Sequence, residues 1–89
     1  MGNQIGYVCI MSELEKEKEV VEATKAIREV EGAWVVYGNY DIIAKVTARD
    51  LKALNNIVQN QIRQIPNVRA TLTFPVVESE LSSSFKAIP

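Results

Sequence analysis

The sequence predicts one α+β domain with its elements in the order β-α-β-β-α-β. Three observations carry that expectation. Four runs rich in β-branched and aromatic residues (5–11, 33–37, 41–47 and 68–76) read as strands. Two longer stretches between them repeat apolar residues at helical spacing. The middle two runs are separated by the short reversal around Gly38-Asn39, residue types that tolerate positive φ, so those strands pair antiparallel. At 89 residues the chain lies near the lower size at which one core suffices.

The first run is apolar on both parities, with Ile5, Tyr7, Cys9 and Met11 against Val8 and Ile10, as in a strand covered on both faces. Ser12 with Glu15 forms a capping-box pattern, predicting a helix that begins there. The acids and lysines between Glu13 and Glu19 read as a solvated first turn. Val20, Ala23, Ile27 and Val30 give that helix a buried stripe, and Gly32 is expected to end it. The second strand follows directly. The second helix is expected near Asp50, capped by Thr47 or Asp50, with Leu51, Leu54, Val58, Ile62 and Ile65 inward. Pro66 forbids its continuation. The two halves look alike, Val30-Glu31-Gly32 matching Ile65-Pro66-Asn67. A doubled βαβ pattern predicts a ferredoxin-like sandwich, both helices on one face of a four-stranded antiparallel sheet. The domain is taken as residues 1–77, with a tail over 78–89 in which Phe85 is either free or docked on a neighbour.

Composition narrows the function. A net charge of −1 and no basic surplus argue against binding nucleic acid through phosphates. A lone cysteine, Cys9, makes no internal disulfide and fits a reducing cytoplasm, where it reads as an inert buried thiol. Without histidine there is no imidazole base or ligand, and no calcium-loop pattern is present, so no cofactor or metal is expected. No apolar run approaches the ~20 residues of a membrane span, the N-terminal Met-Gly-Asn-Gln reads as no signal peptide, and the myristoylation pattern fails because Gly6 stands where serine or threonine is required.

The face of the sheet away from the helices would expose more apolar surface than monomers usually do, which predicts a dimer packed sheet to sheet. The single tryptophan, Trp34, belongs to such an interface or to the core.

The Gly-x-Tyr-Asp reversal of Gly38, Tyr40 and Asp41, followed by Thr71-Leu72-Thr73 in the last strand, resembles the effector-binding domain of the Lrp/AsnC regulators, also called the RAM domain. The resemblance spans about residues 5–77. It implies a dimeric α/β barrel, higher assemblies such as an octamer, and a small-molecule effector, commonly an amino acid, bound between dimers. Family members carry a DNA-reading winged helix, and this chain starts within a few residues of its first strand. It therefore resembles a stand-alone RAM protein without direct DNA contact, acting through a full-length Lrp-type regulator or another partner. Carried over, Gly38, Asn39 and neighbouring backbone N–H groups hold a carboxylate, Asp41 takes the ammonium, and Tyr40 walls the site. Thr71 and Thr73 reach in from another subunit, and Arg69 fixes a carboxylate or makes a cross-strand ion pair. Tyr37 stands where many relatives have threonine. Each residue also has a plain reading: Gly38 as turn geometry, Asp41 as a bond to the turn backbone, the threonines as β-formers.

Two other classes compete with this regulatory reading. A cofactor-free monooxygenase or isomerase shares the dimeric barrel, but such sites need a polar cluster inside it, and none is expected here. A ligand-free oligomerisation adaptor is compatible with the same pattern. An ACT-type domain would place glycine after the first strand, where this chain has Ser12-Glu13-Leu14-Glu15. RNA binding on the sheet would want aromatics on the central strands and a basic balance.

Overall fold

The computed structural model describes residues 3–77. Its elements are β1 (Gln4–Ser12), α1 (Glu17–Lys25), β2 (Val30–Val35), β3 (Ile42–Ala48), α2 (Leu51–Ile57) and β4 (Val68–Pro75). A π-helical turn, Val58–Ile62, continues α2. The sheet is antiparallel throughout, in the order β2-β3-β1-β4, as a ferredoxin-like sandwich requires.

The register assigns the paired strand residues to faces. Val35, Ile42, Ile10 and Thr71 form one cross-strand row, and Ala33, Ala44, Val8 and Thr73 the next. Both rows lie on the helix side, where Val8, Ile10, Ile42, Ala44 and Val46 are sealed beneath Val20, Leu54, Val58 and Ile62. On the opposite side run Trp34-Ile43-Cys9-Leu72 and Gly32-Lys45-Tyr7-Phe74. That face has no helix over it, and Tyr7, Trp34, Leu72 and Phe74 keep 39% to 53% of their surface exposed.

The ends of α1 depart from expectation. Ser12 is the buried last residue of β1 and caps nothing. Its N–H donates to Asp41 Oδ2 at 2.8 Å, a charge-assisted bond that outcompetes a local cap. Glu15 takes a left-handed φ of 65°, and the helix begins two residues later without a side-chain cap. The helix also stops early. Val30 starts β2, and Gly32 lies within that strand rather than closing α1. The glycine serves the strand instead: a Cβ at Gly32 would meet the Trp34 ring at 2.8 Å, so the glycine makes room for an indole folded back over the strand. The inward residues of α1 are Val20, Val21 and Thr24, and Ile27 packs from the turn beyond.

In the second half Asp50 alone caps α2, its Oδ1 accepting from Ala53 N–H at 2.8 Å. Leu51 is exposed rather than inward. Of the others, 54, 58 and 62 are spaced by four, slightly more than one α-turn, and Ile65 packs against the core from the turn beyond. The π turn absorbs the excess, with Arg63 N–H bonded to Val58 O at 2.8 Å, and so keeps Ile62 in the core and Gln61 outside. The likeness between the halves is real but shifted. Ile27 to Val30 matches Ile65 to Val68, each closed by a bond between its end residues at 3.0 and 3.2 Å. The next residue, Glu31 or Arg69, is then skipped by its strand's register. Cys9 is a free, half-buried thiol on the open face, less enclosed than expected. Phe85 lies outside the described residues.

Candidate functional site

The reversal between β2 and β3 is a four-residue loop, 37–40, closed by Val36 N–H donating to Asp41 O at 2.8 Å. Gly38 holds φ at 140°, a conformation that residues with a Cβ rarely adopt. A Cβ there would meet nothing within 4 Å, so the backbone at Gly38 stands open to approach. Tyr37 is fully exposed, Asn39 exposed and Tyr40 half-buried.

Asp41 makes no bond from its carboxylate to the turn's own backbone. Besides the Ser12 N–H, its Oδ2 faces the Ser12 hydroxyl at 3.5 Å, and its own N–H donates to Ile10 O at 2.9 Å. The residue therefore clamps the loop onto the exit of β1. Oδ1 accepts no hydrogen bond among the described residues, leaving one oxygen for a cation or ammonium.

The same end of the sheet carries the other expected residues. Glu13 N–H donates to Asn67 O at 2.8 Å, tying the loop after β1 to the turn before β4. Arg69 Nε lies 3.9 Å from Glu13 Oε2, both side chains more than half exposed, so Arg69 makes a weak ion pair with a loop residue rather than across strands. Thr71 is opposite Ile10 and Thr73 opposite Val8, both half-buried on the helix side of the edge strand. Within one chain β1 separates Asp41 from Thr71. With strands about 4.8 Å apart, the two lie roughly 10 Å from each other, too far to grip one small group together.

Three features were not anticipated. Ser12 as the anchor of Asp41 is one. The second is a polar cluster on the open face, correcting the expectation of none: Thr47 Oγ1 donates to Glu31 Oε2 at 2.6 Å, and Lys45 Nζ sits 3.4 Å from Glu31 Oε1. The Thr47 hydroxyl, then Lys45, hold the Glu31 carboxyl below its ordinary range. Alternation in β3 places Lys45 and Thr47 on one face, but the skipped register at Glu31 is invisible in sequence. The third is an open cleft of about 430 Å³ at the opposite end of the sheet, bordered by Arg28, Glu29, Arg49 and Asn56. No group of three potential metal-ligating side chains occurs among the described residues. No described helix is long and apolar enough to cross a membrane.

Residues 7–84 match the model of the Lrp/AsnC ligand-binding domain. Among curated proteins, an uncharacterised helix-turn-helix-type transcriptional regulator of Pyrococcus abyssi is 32% identical over 69 residues, 78% of this chain and 44% of that protein. The proline dehydrogenase transcriptional activator of Rhizobium radiobacter is 31% identical over 67 residues, 72% of this chain and 43% of that protein. The chain thus spans less than half the length of these regulators. A solved hypothetical protein of Pyrococcus horikoshii is 34% identical with a TM-score of 0.78, covering 85% of this chain and 92% of that one. With the strand order, the uncovered apolar face and the Gly38–Asp41 loop already in hand, the match over most of the chain places it in the Lrp/AsnC ligand-binding domain family.

Proposed function

We propose that this domain is a non-enzymatic effector module that binds an amino acid and converts occupancy into a change of assembly. The observation that carries the reading is the uncovered sheet face, whose rows of Trp34, Leu72, Tyr7 and Phe74 call for a second copy. Pairs of copies then associate further, up to a ring such as an octamer. The effector lies where the loop of one subunit meets β4 of another. Backbone N–H groups around Gly38 and Asn39 receive its carboxylate, and the free oxygen of Asp41 receives its ammonium. Tyr40 forms a wall, and Thr71, Thr73 and Arg69 come from the facing subunit. A shared site of this kind is occupied in one assembly state and broken in another, which is the differential affinity that coupling requires.

The module acts in the cytoplasm without contacting DNA itself, by joining a full-length regulator of its family or another protein. The similarity to a Pyrococcus horikoshii protein that is nearly all this domain supports that reading. The pairing of Glu31 with Lys45 and Thr47 disfavours an enzyme: among the described residues, the polar cluster on the face that would line a barrel satisfies itself.

The test is a thermal-shift screen against the twenty amino acids with light scattering in parallel. A true effector at ten times Kd stabilises by about 1.4 kcal/mol and moves the assembly size. Asp41→Asn should remove the shift while keeping an oxygen acceptor for Ser12. No shift with any amino acid favours a ligand-free adaptor, and a shift unchanged in Asp41→Asn displaces the site.

A further inference from the structure

The cleft at the far end of the sheet belongs to none of the roles above. Its walls come from two turns, the one leading into β2 with Arg28 and Glu29 and the one leaving β3 with Arg49. Thr47 N–H donates to Glu29 O at 3.0 Å and fastens the two turns together, so the border residues sit on a braced frame. The floor is apolar and well packed, with Ala48 and Ile57 at 5% and 6% exposure. At about 430 Å³ it falls within the usual range of small-molecule sites, roughly 300–1,000 Å³.

The charges around it have a definite pattern. Glu29 is the inner group, its side chain 24% exposed, and Arg28 Nη2 reaches it at 3.0 Å from outside. Hydrogen bonding to Arg28 holds the Glu29 carboxyl below its ordinary range, so it stays an anion at neutral pH. Arg49 stands 86% exposed with only a loose 3.8 Å approach to Asp50, whose other oxygen is committed to capping α2. Asn56 adds an amide, donor and acceptor, on the helix side. The border therefore presents two exposed guanidinium groups around the inner Glu29 carboxylate, with the Asp50 carboxylate outside Arg49, above Ala48 and Ile57. A simple anion satisfies the arginines and is repelled by Glu29. A ligand carrying two acid groups and one ammonium answers all three.

We propose that this cleft is a second small-molecule site, for an acidic zwitterion of the size of glutamate or aspartate. Each acid group pairs with one guanidinium, the ammonium with Glu29, and the short methylene chain lies on Ala48 and Ile57. The site is distinct from the loop: β3 separates them by seven residues, about 23 Å at ~3.3 Å per residue. Nothing in it depends on the loop reading.

The test is binding followed through backbone amide NMR shifts on the intact chain, with L-glutamate as the probe. Arg49, Ala53 and Asn56 amides should move and saturate, and Arg28→Gln and Arg49→Gln should each weaken binding roughly tenfold or more. Both side chains are almost wholly exposed, so the variants keep the fold. Succinate, which lacks the ammonium, and L-glutamine, which lacks the second acid, should bind clearly more weakly. Asp41→Asn should leave the cleft shifts unchanged. Equal shifts with succinate or inorganic phosphate reduce the cleft to an anion trap and overturn the proposal. So does an L-glutamate response that survives both arginine variants, or one confined to the Gly38–Asp41 loop.

Discussion

Gly38 isolates a purely conformational effect, because a Cβ added there meets no atom within 4 Å while φ sits at 140°. Gly38→Ala should therefore destabilise by about 1–3 kcal/mol through backbone strain alone. Denaturant titration with an unchanged m-value is the measurement, and a loss below ~0.5 kcal/mol would show that the loop relaxes freely. Glu31 tests electrostatics on a single side chain. Its folded-state affinity for protons is lowered by Thr47 and Lys45, so the contribution to stability is fully present above the unfolded value, near 4.5. It fades as pH falls through that value and the lower folded one. The stability gap between wild type and Glu31→Gln should be flat at neutral pH and close progressively in acid. A gap that widens on acidification contradicts the sign.

Elements lock through specific close approaches, and Gly6 is the sharpest. A Cβ at Gly6 would fall 2.6 Å from Leu54 Cδ2, and Leu54 has no exposed surface into which to retreat. Gly6→Ala should cost about 1–3 kcal/mol by pushing α2 off β1. Leu54→Ala costs about 2–5 kcal/mol by leaving a cavity that the new methyl partly fills. The double variant should thus be more stable than the sum of the singles by ~1 kcal/mol, whereas strict additivity would mean the two do not touch. These contacts also explain what could be read in advance. Strand alternation and the Asp50 cap are local properties, and β3, α2 and β4 lie close to where periodicity puts them. The bounds of α1 were misread at Ser12 and Gly32 because both carry real helix-end signals. Partners distant in sequence override them, Asp41 at the first. At the second the override is an indole two residues away, and it matters only once β2 has formed. The loop residues were legible one by one. The Ser12 anchor, the Glu31 cluster and the far cleft were not, since each needs a register or a turn that only the folded chain supplies.

At the scale of the whole molecule the chain is a two-layer sandwich with a side missing. Two helices seal one face, and the other offers a tryptophan, a tyrosine, a phenylalanine and Leu72 to water. A domain this small buries only about 60% of its unfolded surface, so covering that face matters for stability. Leu72 lies at the β4 end of the row Trp34-Ile43-Cys9-Leu72 and is 42% exposed in the isolated chain. Leu72→Arg should therefore cost the monomer little, but in a sheet-to-sheet pair it buries an unpartnered charge. The expected result is a drop of the scattering mass to the 9.9 kDa of one chain, with the circular dichroism spectrum retained. Trp34, the only tryptophan and 53% exposed in the single chain, gives an independent reading, because sheet-to-sheet pairing would enclose its indole. Diluting the wild type should shift its emission to the red along with the loss of mass, and Leu72→Arg should show the red-shifted emission at every concentration. An assembly that keeps its size in Leu72→Arg, or an emission insensitive to dilution across the dissociation, would mean that copies meet through another surface. The proposed effector site would then need a different geometry of facing subunits.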